Sequence, residues 1–346
     1  MVRTADSGLN RRNGIGFRHG CFLVLVLVGG ACSRGATVQP RYINDFVSRS
    51  PVAGCDSLPA MTAQGFNVVD LVADGDSGFL MLAGLSRQLI SYDRALRPRW
   101  EIDLEENGPN GVGSPESVAM VDDSIYIVDS GRHLVKLLDR RGRERNTIFA
   151  NFLPSMVRMA GRSAFVMPTV IGGIPNRLLY RIQGTELKAE PLSPRTVAGV
   201  NRNAFVNMLA AATRPDRNLV VIHQFYVPEA YLWNGDEVVP FAAPVPDGAR
   251  ELFEHPRSVE REEDLQYLPV VALSTYVDAS GDVVYLTRSG RHRSGYFEKA
   301  LVRVDSTFHY VSSRLLPVEA LYVAPLTRDS VVVVSNEGEW HRCEVP

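Results

Sequence analysis

GSPESVAMVDDSIYIVDSGRHLVKLLDRRG, residues 113–142, decides the fold. SVAMV, SIYIVD and LVKLLD are apolar runs of strand length, separated by Asp122-Asp123, by the loop SGRH and by RRG. Such runs, punctuated by turn formers, predict antiparallel strands joined locally as a β-meander. The middle run returns as GFLMLAG (78–84), SIYIVDS (124–130), SAFVMPT (163–169), NLVVIHQ (218–224), DVVYLTR (282–288) and SVVVVSN (330–336), at steps of 46, 39, 55, 64 and 48 residues. Helical periodicity is nearly absent, and these steps fit the roughly 40–50 residues of a propeller repeat, two of them enlarged by loops.

Third strands follow each copy: QLISYDR, HLVKLLD, RLLYRIQ, EAYLWNG, KALVRVD and EWHRCEV. Most end in turn formers, namely Asp93, Asp139, Gly184, Asn234-Gly235 and Asp305. Outer strands follow in five cases: PRWEIDL, ERNTIFA, LKAEPLS, EVVPFAA and YVSSRLL. The sequence therefore predicts an all-β, six-bladed β-propeller over 66–346, whose sixth blade runs out of chain at Pro346. An open sheet edge leaves ladder donors and acceptors unpaired, so another segment must supply the strand. The spare β-like stretch is PRYINDFV, Pro40–Val47, in the segment 32–65, and it is assigned here as the clasp that closes the last blade.

Pro115, IYIVDSGRH and the aliphatic strand ending in Asp139 resemble an NHL-type propeller repeat, the second blade most sharply. His133 falls in the loop where such repeats commonly carry histidine, which implies a turn role. The resemblance adds six-bladed relatives, the sugar-lactone hydrolases, that bind a divalent metal with a Glu and Asn palette.

At the N-terminus Arg11, Arg12 and Arg18 precede CFLVLVLV, then Gly29, Gly30, Ala31 and Cys32. The apolar run is far short of the roughly 20 residues that span a bilayer, so residues 1–31 read as a signal peptide. The end resembles a bacterial lipoprotein signal with Cys32 as the lipidated residue, although Gly29 stands where Leu is usual; plain secretion is the alternative. Ser33 resembles the outer-membrane sorting pattern, which implies a cell-envelope location facing the periplasm or the cell surface. Residues 1–31 carry four Arg and one Asp, so their removal moves the formal charge from −2 to −5, which speaks against a nucleic-acid partner. Cys55 and Cys343 then remain, and in an oxidising compartment two leftover cysteines tend to pair. Such a bond would close a loop worth about 5–6 kcal/mol in the chain-entropy model, although Cys55 lies beyond the proposed clasp strand.

No complete catalytic constellation is present. The histidines His133, His223, His255, His292, His309 and His341 are isolated from one another, no Gly-x-Ser-x-Gly elbow occurs, and no phosphate loop occurs. The innermost strands of a propeller line its channel, so polar residues on or entering them are the ligand-binding candidates: Asn67, Glu116, Arg158, Asn207, Ser274 and Glu319. Two excursions, 243–266 and 289–299, the latter with Arg291, His292 and Arg293, read as solvated insertions. Trp100, Trp233 and Trp340 read as packing between blades. These observations favour a non-enzymatic, monomeric binding or protein-interaction module, without a cofactor, that takes a protein or a small polar ligand and meets the membrane only through its lipid anchor. The competing expectation is a lactonase-like or lyase-like enzyme using a divalent metal in the channel.

Overall fold

A computed structural model describes residues 41–43, 50–74, 78–105, 111–170, 175–192, 209–214, 219–224, 229–233, 238–242, 244–246, 270–278, 280–291, 297–307, 309–335 and 337–346. Six four-stranded antiparallel sheets are present, built from residues 68–103, 115–149, 154–189, 209–242, 270–316 and 322–344, the last with Cys55–Ser57 added at its outer edge. Their first strands touch in cyclic order, and the first strand of blade 6, Tyr322–Thr327, meets that of blade 1, Val68–Ala73. The chain is a closed six-bladed β-propeller.

All six repeated runs form the second strands of their blades. These runs are continuously apolar rather than alternating because both faces of a middle strand are buried. In blade 1, Phe79 and Met81 pack against Val332, Val334 and Trp340 of blade 6, while Leu80 and Leu82 pack against Val118, Ile125 and Ile127 of blade 2. Odd and even residues of one strand thus serve two interfaces, and the core is distributed between blades. Trp340 is fully buried against Phe79 and Tyr92, and Trp233 stacks obliquely on Phe165 with ring centroids 4.3 Å apart.

The strand that closes blade 6 is Cys55–Ser57, in place of the predicted clasp at 40–47. Of that segment Arg41–Ile43 instead pairs in parallel with Pro244–Pro246. The cysteine pair decides which stretch lies against Trp340–Glu344. Cys55 lies directly opposite Cys343, and the two are joined by a disulfide with an S–S distance of 2.08 Å. Neighbouring residues extend the seam: the Ala53 N–H donates to the Leu315 carbonyl of blade 5 at 2.8 Å, and the Leu58 N–H to the Trp340 carbonyl of blade 6 at 2.8 Å.

The two faces of the ring differ. Connections between first and second strands, and between third and fourth, hold no more than five residues, for example 122–123, 140–143 and 184–185. Aspartates cap several of them. Asp139 accepts from the N–H groups of Arg141 and Arg143, and Asp93 and Asp305 repeat the arrangement. The long connections, 104–114, 169–179, 190–208 and 243–269, all leave from the opposite face. There the SGRH loop turns at His133 with φ 55°, as the loop of blade 1 turns at Arg87 with φ 49°. Each then lends its carbonyl to the end of its own outer strand, His133 to Ala150 and Arg87 to Leu104. His133 is a turn residue here.

Candidate functional site

Inner strands expose one backbone edge to the channel, so their N–H and C=O groups need partners. Six residues occupy the equivalent register position, each opposite the fifth residue of the repeated second-strand run: Asp70, Ser117, Met156, Ala211, Ser274 and Tyr322. Three of them carry an oxygen that caps the next blade. Asp70 accepts from the Val118 N–H at 2.9 Å, Ser117 Oγ from the Val157 N–H at 3.1 Å, and Ser274 Oγ from the Val323 N–H at 3.3 Å. One side-chain position therefore stitches blade 1 to 2, blade 2 to 3 and blade 5 to 6.

Arg158, two residues beyond Met156 on the inner strand of blade 3, binds this frame from within. Its Nη1 and Nη2 donate to Asp70 Oδ2 and Oδ1 at 2.8 and 2.9 Å, a bidentate pair in which both side chains are about nine-tenths buried. Its remaining donors go to Ser117 Oγ, to the carbonyls of Val157 and Val118, and through Nε to the Ala211 carbonyl of blade 4 at 2.9 Å. Asp70 also accepts from the Ser117 hydroxyl at 2.6 Å and from its neighbour Leu71 N–H at 3.0 Å. A buried charge pair is tolerable only when its remaining lone pairs and protons are satisfied, and here four blades supply the partners. Arg158 is thus a fixed brace between inner strands.

Toward the face with the long connections, the inner strand of blade 2 carries a register shift between Pro115 and Ser117. Glu116 is the extra residue of that bulge, a feature that re-aims a side chain. It is exposed and accepts from Ser130 Oγ at 3.0 Å. Its pKa lies above the ordinary carboxylate value because protein shields it from water; the Ser130 hydrogen bond opposes the shift and the Asp70 charge adds to it. On the inner strand of blade 6, the Tyr322 pKa is pushed up to about 12, first by burial and then by the negative charges of Asp70 and Glu116. Glu116, Asp70 and Tyr322 therefore share one electrostatic neighbourhood at the head of the channel.

Asn67 is exposed ahead of the blade 1 inner strand, where its carbonyl accepts from the Gly84 N–H. Ser274 is spent as an interblade cap, and Glu319 is ion-paired with Lys299 between blades 5 and 6. Asn207 and Cys32 lie outside the described residues. Sequence reading missed Asp70 and Tyr322. The available signal was a lone acid inside the apolar run VVDLVA, since a carboxylate is seldom buried without a partner.

No protein-family model and no curated protein matches this sequence. Solved structures do resemble it. A member of the DUF4221 family from Bacteroides vulgatus is similar over 85% of this chain and 96% of its own, at 9% identity and a TM-score of 0.62. A streptogramin B lyase covers 85% of this chain and 98% of its own at 9% identity, with a TM-score of 0.53. A gluconolactonase from Xanthomonas campestris covers 90% and 96% at 12% identity, with a TM-score of 0.52. At such identities the likeness carries the propeller fold alone.

Proposed function

We propose that this chain is an exported, lipid-anchored propeller of the NHL-like type that recognises a protein or small polar ligand at the cell envelope, through the channel mouth that displays Glu116 and Tyr322. One observation carries the binding reading over the enzymatic one: the buried acid and guanidinium at the head of the channel saturate each other and the adjoining backbone, which makes a rigid floor and leaves neither free for chemistry. Glu116, on the bulge beside that floor, offers a carboxylate to an incoming group, and the partly buried Tyr322 shares its electrostatic neighbourhood. Export is supported by the signal-like start ending at Cys32 and by the Cys55–Cys343 disulfide, which persists in oxidising compartments.

The competing reading is a metal-dependent lactonase-like or lyase-like enzyme, supported by the likeness to a streptogramin B lyase and a gluconolactonase. The described residues do not fit a divalent cation at the channel head. Asp70 already accepts five hydrogen bonds there, and the Arg158 charge stands beside it. A ligand-shift thermal screen on residues 33–346, run beside metal analysis and lactone hydrolysis, tests the choice. The expected result is a stabilising ligand whose shift shrinks in Glu116→Gln and Tyr322→Phe. Stoichiometric metal with hydrolysis lost in Glu116→Gln would replace this reading with the enzymatic one.

A further inference from the structure

The outer strands of blades 1–5 do not begin alike. At the end next to the short connections, blades 1, 2 and 3 open with Pro98-Arg99, Glu144-Arg145 and Glu186-Leu187, whereas blades 4 and 5 open with Val238-Val239 and Tyr310-Val311. In blades 1, 2 and 5 the second of these residues is the extra residue of a bulge, and that one position holds Arg99, Arg145 and Val311. Proline, charge and bulges are the usual protection of a sheet edge. Blades 4 and 5 give up the charge: Val239, Tyr310 and Val311 are 39%, 46% and 50% exposed.

The N-terminal chain is laid on the same rim. Val52, 59% exposed, bridges Leu315 of the blade 5 outer strand in parallel. Ser50 Oγ meets Ser313 Oγ at 2.5 Å, and Ser313 Oγ meets the Tyr310 hydroxyl at 2.8 Å. Further upstream Arg41–Ile43 pairs with Pro244–Pro246, which lies against the first two strands of blade 5. Both described pieces of chain nearest Cys32 therefore lie on blade 5, and Arg41 follows Cys32 by nine residues, at most about 32 Å of chain. Of the six large apolar side chains exposed among the described residues, four are on this rim, while Leu85 and Phe149 stand singly on blades 1 and 2. Singly exposed apolar residues are ordinary, whereas a strip of them beside a membrane tether marks a contact.

We propose that the outer rim of blades 4 and 5 rests on the bilayer that holds the acyl chains of Cys32, with Val52, Val239, Tyr310 and Val311 at the lipid interface and the ring standing edge-on. The inference rests on the lipid anchor of the proposed function and adds a protein surface to it. A short tether keeps the rim at an effective concentration of about a millimolar, so a weak apolar contact is enough to fix the orientation. Standing edge-on leaves both ends of the channel open to solvent and holds Glu116, in blade 2 on the opposite side of the ring, away from the membrane.

Tryptophan placed on the surface reads the orientation, in the full acylated chain reconstituted into phosphatidylcholine–phosphatidylglycerol vesicles with brominated acyl chains. The emission added by Val311→Trp is expected to be quenched severalfold more than that added by Arg145→Trp, at the same bulge position of blade 2, or by Leu85→Trp, on the face with the long connections. Should Val311→Trp fail to fold, Tyr310→Trp on the same rim carries the prediction. Stronger quenching at Leu85→Trp, which means a ring lying flat, overturns the proposal, as does equal quenching at all three positions or none at the rim. The mass of the N-terminal peptide from the same vesicles separates this failure from that of the anchor. Unquenched Val311→Trp with an acylated Cys32 removes the docking and leaves the anchor standing, whereas an unacylated chain removes both.

Discussion

The inner rim of blades 1–4 and the seam where blades 5, 6 and 1 meet are held by different means. Along the rim, consecutive sheets are joined by chain continuity and braced by Asp70, Ser117 and Arg158, whose hydrogen bonds satisfy inner-edge groups of Val118, Val157 and Ala211. At the seam the same register position offers one neutral cap, Ser274 to Val323, and the sheet is completed by only three residues, Cys55–Ser57. Ladder bonds over three residues are a weak hold for the end of a chain. The covalent bond from Cys55 to Cys343 supplies what the rim obtains from charge. A closed ring needs equal integrity at every interface, and the chemistry that provides it follows whether sequence continuity is already present.

The largest effect is therefore expected at the seam. Reduction of Cys55–Cys343, or its replacement by serines, releases a loop of sequence separation 288 and should cost about 5 kcal/mol in the chain-entropy model. Equilibrium urea unfolding with and without reductant measures it. Intact stability after reduction would mean that residues 50–58 close the ring through their hydrogen bonds alone.

Next comes the rim. Arg158→Ala strands Asp70 as a buried carboxylate and should cost about 3–5 kcal/mol. Replacement of both members of a buried pair by apolar residues is often neutral, yet here Asp70→Leu with Arg158→Met is expected to remain destabilising by about 2–3 kcal/mol. The reason is that the Val118 N–H and the Ala211 carbonyl lose these partners as well. A neutral double variant would reduce the network to a charge pair with no role in edge satisfaction.

The single caps sharpen the contrast at smaller scale. Ser117→Ala removes an acceptor from the Val157 N–H and a donor from Asp70, for about 1–3 kcal/mol, whereas Ser274→Ala frees only the Val323 N–H, for about 1 kcal/mol. Thermal unfolding of the two variants side by side is the measurement. Equal losses would show that the charged brace adds nothing to the cap.

What the sequence revealed of this arrangement depended on how many residues shared a signal. Six apolar runs, each buried on both faces, were legible as second strands because every position in them reports the same burial. CDS at Cys55–Ser57 has no strand propensity worth reading, while PRYINDFV does, so local pattern pointed to the wrong clasp and only the pairing of Cys55 with Cys343 fixes the register. The channel list suffered from a similar limit. Polar residues entering inner strands were visible, but whether one faces the mouth or braces a neighbour depends on bulges such as that at Glu116, which shift alternation by one residue. Asp70 and Tyr322 become equivalent positions only once the register of each inner strand against its partner is known.

The smallest effect lies at the short turns, where three aspartates repeat one cap. Asp93 and Asp139 have lowered pKa values through backbone hydrogen bonds from Arg97 and Arg143 first, and Asp305 through the Thr307 hydroxyl first. A depressed carboxylate contributes stability that is full above the unfolded aspartate pKa of about 3.8, and that contribution is lost as pH falls through the lower folded value, because the unfolded chain takes up its protons first. Glu116, with a raised pKa, acts in the opposite sense. Its contribution is full below the ordinary glutamate value and fades as pH rises through the raised one. Denaturation midpoints followed from pH 6 down to about pH 3 should therefore fall less steeply below pH 4 in Asp139→Asn than in the parent chain. Glu116→Gln should leave that acid limb unchanged and flatten the weaker slope above it. An acid limb insensitive to Asp139→Asn would place the acid-sensitive carboxylates elsewhere in the ring and remove the turns of the short-connection face from the account of its stability.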